Sequence, residues 1–281
     1  MGRDNLWITF NARVRCVTES KDGLTFGCHV QRPEILLQQL LSSRKVRDQP
    51  ICGGAVHIPD GWIKAGTAAA SGAVSLSAVS ASLIAAKSRL QERQVPLIGL
   101  VAAFLLVIQA IHIPFGPGVS AHLLGGALAA VLLGPWLGFL VVAAVVLVET
   151  SGLGHGGVAT LGANVALTGL IACLGGYWLF RGLLILAPRT RRGFLTATAV
   201  TSWLTVVLAA AVGSAMITYG GVLGAGQARP FIGVMVVAHG LVGIAEAVIT
   251  TAAVGAVMTA RPDLMATREL LPATRAAAST R

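Results

Sequence analysis

Beyond Lys64 the chain consists of long apolar runs separated by short polar breaks, whereas before residue 56 it is polar and charged. Seven apolar segments can be marked, at roughly 65–86, 95–112, 120–134, 136–149, 158–187, 194–218 and 230–259. A helix that spans a bilayer needs about 20 predominantly apolar residues. The third and fourth segments are short and separated only by Gly134-Pro135. Pattern alone permits one kinked helix there, or two helices joined by a tight turn.

Charge chooses between these. With seven spans and residue 56 outside, the interior loops hold Lys87, Arg89 and Arg93, then Arg181, Arg189, Arg191 and Arg192, and the interior tail holds Arg261, Arg268, Arg275 and Arg281. The exterior side keeps only Lys64 and Arg229. Merging segments three and four would put the Arg181–Arg192 cluster outside, against the tendency of cytoplasmic loops to be basic. The reading is therefore an all-α polytopic bundle of about seven transmembrane helices, with residue 56 outside and the C-terminus in the cytoplasm. Small residues on the first segment (Ala68 to Ala73) and the fifth (Gly162, Ala163, Gly175, Gly176) predict close backbone approach between helices.

Composition narrows the function classes. At 55% hydrophobic and 11% charged, with mean hydropathy +0.78, the chain has a membrane composition. The net charge of +10 lies in short patches between apolar runs, and aromatics are only 5%, so no basic aromatic groove for nucleic acid is present. The cysteines form no CxxC pair, and no HExxH motif supplies a membrane metalloenzyme. Residues 1–55 carry eight Lys/Arg and five Asp/Glu without a signal-peptide core.

The chemistry lies with histidines. The seven-span topology puts His57, His112, His122 and His155 at or near the exterior surface, and leaves His239 free to lie toward it. Neutral imidazoles suit cobalt, nickel, copper and zinc. If Val56 were the first residue, its free amine, the His57 amide nitrogen and His57 Nδ1 could form fused chelate rings around one ion, with the His122 imidazole as a fourth nitrogen. Four nitrogens in a plane favour Ni(II), Cu(II) and low-spin Co(II) over tetrahedral Zn(II). Asp60 either orients an imidazole or caps the first helix. His239 and Glu246 are seven residues apart, two helical turns, and so share a face.

These residues also carry a resemblance. His57-Ile58-Pro59-Asp60-Gly61-Trp62 is similar to the opening MHIPDG(F/W) of the CbiM/NikM family, the substrate-binding membrane subunits of energy-coupling-factor cobalt and nickel importers. Ser120-Ala121-His122-Leu123-Leu124-Gly125-Gly126 resembles its S-G-H-L-L-G-G motif, and Leu133 to Trp136, Thr160 to Asn164 and His239 to Glu246 match later blocks in order. The resemblance covers about residues 56–260. It implies metal ligation by residue 56, His57 and His122; Asp60, Asn164, His239 and Glu246 are candidates for a supporting shell around them. It implies Co(II) or Ni(II) as transported substrate, with no permanent cofactor and no catalysis in this chain. The implied partners are a coupling membrane protein, ATPase subunits and a small accessory membrane protein, with lipid around the subunit. Ala121 departs from the family's glycine, and Gly154-His155-Gly156-Gly157 stands where Asp-Gly-Gly is expected. The 55-residue extension would make the residue-56 amine an ordinary amide, so a start at a GTG codon for residue 56 is expected and residues 1–55 are read as a mis-called start. The expected location is the bacterial plasma membrane. Nickel rather than cobalt as substrate, or a stand-alone permease, are the alternatives.

Overall fold

The structure, a computed structural model, describes residues 57–88, 90–116, 119–221 and 225–271, together with strands β1 (Val14–Val17) and β2 (Gly27–Val30). The chain divides into two compact units, 1–53 and 54–281. In the first, β1 and β2 pair antiparallel with Arg15 opposite His29. The second carries everything that follows.

It is a helical bundle. Its elements are α1 (Ala65–Lys87), α2 (Val95–Gln109), a hairpin of β3 (His112–Gly116) and β4 (Val119–His122), α3 (Gly126–Leu133), α4 (Pro135–Val148), α5 (Leu161–Leu186), α6 (Arg191–Tyr219) and α7 (Ala225–Ala260). Sequence punctuation sets several boundaries. Proline occupies the first turn of α2 and of α4, where its missing N–H costs nothing. Thr190 caps α6 by accepting from Gly193 N at 3.1 Å. The α4 helix runs on into a wide π turn at Glu149–Leu153, and the middle of α5 is wound in the same loose way over Ala166–Gly175. Such turns displace side chains from the regular helical face and recur at functional sites.

The helices match the apolar segments to within a few residues, except at the third. Six helices among the described residues are long and apolar enough to cross a membrane. Segment 120–134 is not a seventh: its first residues pair as β4, and α3 has only eight residues, roughly 12 Å of rise against a hydrocarbon core of roughly 30 Å. Gly125, left-handed at φ +67°, ends the extended stretch, and Gly134 at φ +81° ends the helix.

Every residue of α3 is buried, which makes this short helix the centre of the fold. Around it pack Leu105 of α2, Phe139 of α4, Phe180 of α5 and Phe194 of α6. By contrast α1 is mostly uncovered, presenting Leu76, Leu83 and Ile84, as a lipid-facing helix does. The small residues of the first and fifth segments meet as expected: a methyl on Gly162 would lie 2.7 Å from the Gly72 backbone nitrogen, and Ser75 Oγ donates to Gly162 O at 2.6 Å. At one end of the bundle Arg93 and Arg268 line a cavity of about 190 Å³ with Tyr177 and Asp263, and Arg191 donates to Thr259 Oγ1 at 2.6 Å. There the chain after α7 folds back onto α3. Ala266 N donates to Leu132 O and Thr267 Oγ1 to Val131 O, each at 2.8 Å, so two carbonyls of the last turn of α3 gain partners. The candidate site lies at the opposite end.

Candidate metal centre

Residues 57–63 enter the bundle as a non-helical segment with a turn at Asp60-Gly61, and polar groups from α5 and the loop before it hold it. Asn164 grips one residue from both sides: Ile58 N donates to Asn164 Oδ1 at 2.8 Å, and Asn164 Nδ2 donates to Ile58 O at 3.1 Å. Gly157 N, at 3.1 Å, and Thr160 Oγ1 donate to the same carbonyl. Asp60 accepts from Val158 N at 3.2 Å and Ala159 N at 2.9 Å. It contacts no imidazole through these bonds, nor does it cap α1, whose cap position is Lys64 with no side-chain bond. Its carboxylate instead ties the segment to the loop that leads into α5. Gly156 makes the fit possible. Its φ is +81°, and a Cβ there would sit 2.7 Å from His57 Cβ and 2.9 Å from Asn164 Nδ2.

This anchoring brings His57 beside His122, with ring centroids 5.0 Å apart and planes at 73°. Both side chains are buried. His122 closes β4, where its Cα pairs with that of His112. His122 Nδ1 lies 3.0 Å from Leu123 O. A carbonyl only accepts, so Nδ1 carries the proton and Nε2 keeps its lone pair. The His239 ring lies 6.5 Å from that of His122 and bonds Met235 O through Nδ1 at 2.9 Å, so its proton is on Nδ1. His57, His122, Asn164 and His239 line one cavity of about 80 Å³, whose other walls include Leu167 and Phe231.

Glu246 lies on the same helix as His239 but has a different task. Its carboxylate accepts from Leu124 N and, at 3.0 Å, from Gly125 N, the amides just ahead of α3. An anionic group at a helix N-terminus meets both the orphan donors and the positive end of the helix dipole. Glu246 thus fixes the strand-to-helix turn that carries His122. Val56 lies outside the described residues. Among those described, no three His, Cys, Asp or Glu side chains form a ready-made ligand cluster; the imidazoles approach in pairs.

The sequence reading left Glu149 out of the site. Glu149 Oε2 lies 2.9 Å from His57 Nε2, and the residue is fully buried. The available signal was a lone acidic residue at the end of an apolar segment, where a charge needs a reason. Gly156 and Thr160 were missed as clamps for a simpler cause: glycine and threonine are common in membrane helices and loops. His155, whose N–H donates to Glu149 O at 3.0 Å, sits in the same loop.

The sequence profile described as the cobalt uptake substrate-specific transmembrane region matches residues 57–264. A Haloquadratum walsbyi protein named for metal transport is 32% identical over 214 residues, covering 76% of this chain and 94% of that protein. The cobalt transport protein CbiM of Geobacter sulfurreducens is 28% identical over 219 residues, 75% of this chain and 62% of that one. Among solved structures, a truncated transition metal transporter superposes with a TM-score of 0.64 at 27% identity, covering 72% of this chain and 98% of its own. With three quarters of its length matched, the chain is a multi-pass membrane protein that belongs to the CbiM family of cobalt-uptake transmembrane regions.

Proposed function

We propose that this protein is the metal-capturing membrane subunit of an ATP-driven importer of Co(II) or Ni(II), and that the ion is held by His57, His122 and the amine of residue 56. The observation that carries the reading is the approach of two buried imidazoles from distant parts of the chain, 5.0 Å between ring centroids, held by a clasp on the residue next to one of them. In this reading the residue-56 amine, the His57 amide nitrogen and His57 Nδ1 wrap the ion in fused chelate rings. The His122 Nε2 lone pair closes the set. A planar four-nitrogen set favours Ni(II) and low-spin Co(II). The matched relatives carry names for cobalt and for nickel transport, which supports both ions as substrates.

The site end faces outward and the arginine-rich end faces the cytoplasm, in accord with the basic bias of cytoplasmic loops. No ATP is hydrolysed in this chain; a coupling membrane protein, ATPase subunits and a small accessory membrane protein complete the importer. The amine requires that the working subunit begin at residue 56. Intact mass of the subunit purified from membranes, together with its bound metal, tests the start and the cargo at once. His57→Ala and His122→Ala are each expected to abolish tight Ni(II) binding while the protein still elutes as a folded species. Tight binding retained in either variant overturns the assignment.

A further inference from the structure

We infer that Glu149 is a positioning residue for the metal hook: its carboxylate holds His57 in the one tautomer that can chelate and supplies the charge that makes the buried complex neutral. The inference rests on the hook proposed above.

The geometry is specific. Glu149 opens the π turn at the end of α4, which aims its side chain at the entering segment, and Oε2 lies 2.9 Å from His57 Nε2. Glu149 and His57 are 0% and 6% exposed. A carboxylate oxygen accepts, so Nε2 carries the proton and the lone pair moves to Nδ1. That selection matters because only Nδ1 can close a ring with the backbone nitrogen of its own residue. The ring runs metal, backbone N, Cα, Cβ, Cγ, Nδ1, and it is six-membered. The other tautomer would direct its lone pair away from the amide and break the hook.

The charge argument is independent. A dication bound by an amine, a deprotonated amide and two neutral imidazoles leaves a net charge of one plus. Buried as deeply as these rings are, that charge needs a counter-ion. Glu149 supplies one. Its second oxygen, Oε1, is buried with no hydrogen-bond partner among the described residues, so the carboxylate is under-satisfied until a cation arrives.

The test uses the full-length gene product purified from membranes, with Ni(II) alone as probe. Glu149→Gln keeps an acceptor for His57 but removes the charge, and is expected to weaken Ni(II) binding roughly 10- to 100-fold. Glu149→Ala removes acceptor and charge and is expected to weaken it further. In the unaltered, metal-free protein, ¹⁵N-histidine NMR is expected to find the His57 proton on Nε2, and in Glu149→Ala that preference is lost. If both variants bind within threefold of the parent while His57→Ala has lost binding, the role given to Glu149 is wrong and the hook stands. If His57→Ala binds like the parent, the hook itself is wrong. Should neither Glu149 variant fold, the spectrum of the parent still decides, because a proton on Nδ1 overturns the inference.

Discussion

Asn164 is the most informative residue to change, because the cost of its loss can be worked from its contacts. Replacing it with Leu keeps the branched four-atom skeleton and removes both hydrogen bonds to residue 58. Ile58 O retains Gly157 N and Thr160 Oγ1 as donors, so that side of the clasp loses about 0.5 kcal/mol. Ile58 N loses its Asn164 acceptor in a buried setting, which costs about 1–3 kcal/mol. Together the docked segment is weakened by about 1.5–3.5 kcal/mol. Since His57 must be docked to share an ion with His122 in the proposed site, the same energy appears as a loss of roughly 10- to 400-fold in Ni(II) affinity. Isothermal titration of Ni(II) into the detergent-purified variant reads this directly, with elution volume as the check on folding. Asn164→Ala should lose about as much as Asn164→Leu, since the missing hydrogen bond outweighs the missing volume. A folded Asn164→Leu protein that binds Ni(II) within threefold of the parent refutes the clasp as the anchor of the site.

Three other substitutions separate the parts of the structure. Glu246→Ala strands the buried amides of Leu124 and Gly125, and at about 1–3 kcal/mol each it should lower the thermal unfolding midpoint sharply, with Glu246→Gln losing less because one acceptor oxygen remains. Gly156→Ala puts a side chain at φ +81° and a methyl 2.7 Å from His57 Cβ; it should cost about 1–2 kcal/mol in backbone strain and damage Ni(II) binding more than stability, as paired titrations and melts would read. Thr267→Val removes the hydroxyl bond to Val131 O at the far end of α3, so it should lower stability by about 1 kcal/mol with Ni(II) affinity unchanged. Equal damage to affinity and stability in the last case would mean that the two ends of α3 are not separable.

Much of this was legible from residue pattern. The apolar runs located six helices, and the glycine-rich faces of α1 and α5 did meet, because both follow from burial and small-residue packing. The third run failed as a span because apolarity measures only removal from water. Segment 120–134 is apolar since it is buried among other helices, and nothing in its composition distinguishes that from contact with lipid; Gly125 and the hydrogen bonds of Glu246 fix its actual shape. Histidine count and spacing pointed to one end of the bundle, and among the described residues His57, His122, His155 and His239 lie there, with the His112 backbone paired to that of His122. Asn164 could be associated with the site from its motif, but its role as a backbone clasp could not, since a clasp is a matter of three-dimensional approach between residues 106 positions apart. The work of Asp60 was likewise undecidable in advance: a carboxylate serves equally well on an imidazole, a helix start or a loop.

The short helix α3 is fastened at both ends to the same part of the chain. Glu246 on α7 grips the amides at its start, and the tail that follows α7 grips the carbonyls at its finish. Mechanically, α3 is a rod held between two points on one lever, with His122 at the tip two residues beyond the upper grip. The position of the His122 ring relative to the separately clasped His57 is therefore set from two ends of one helix, by contacts that lie on and just after α7.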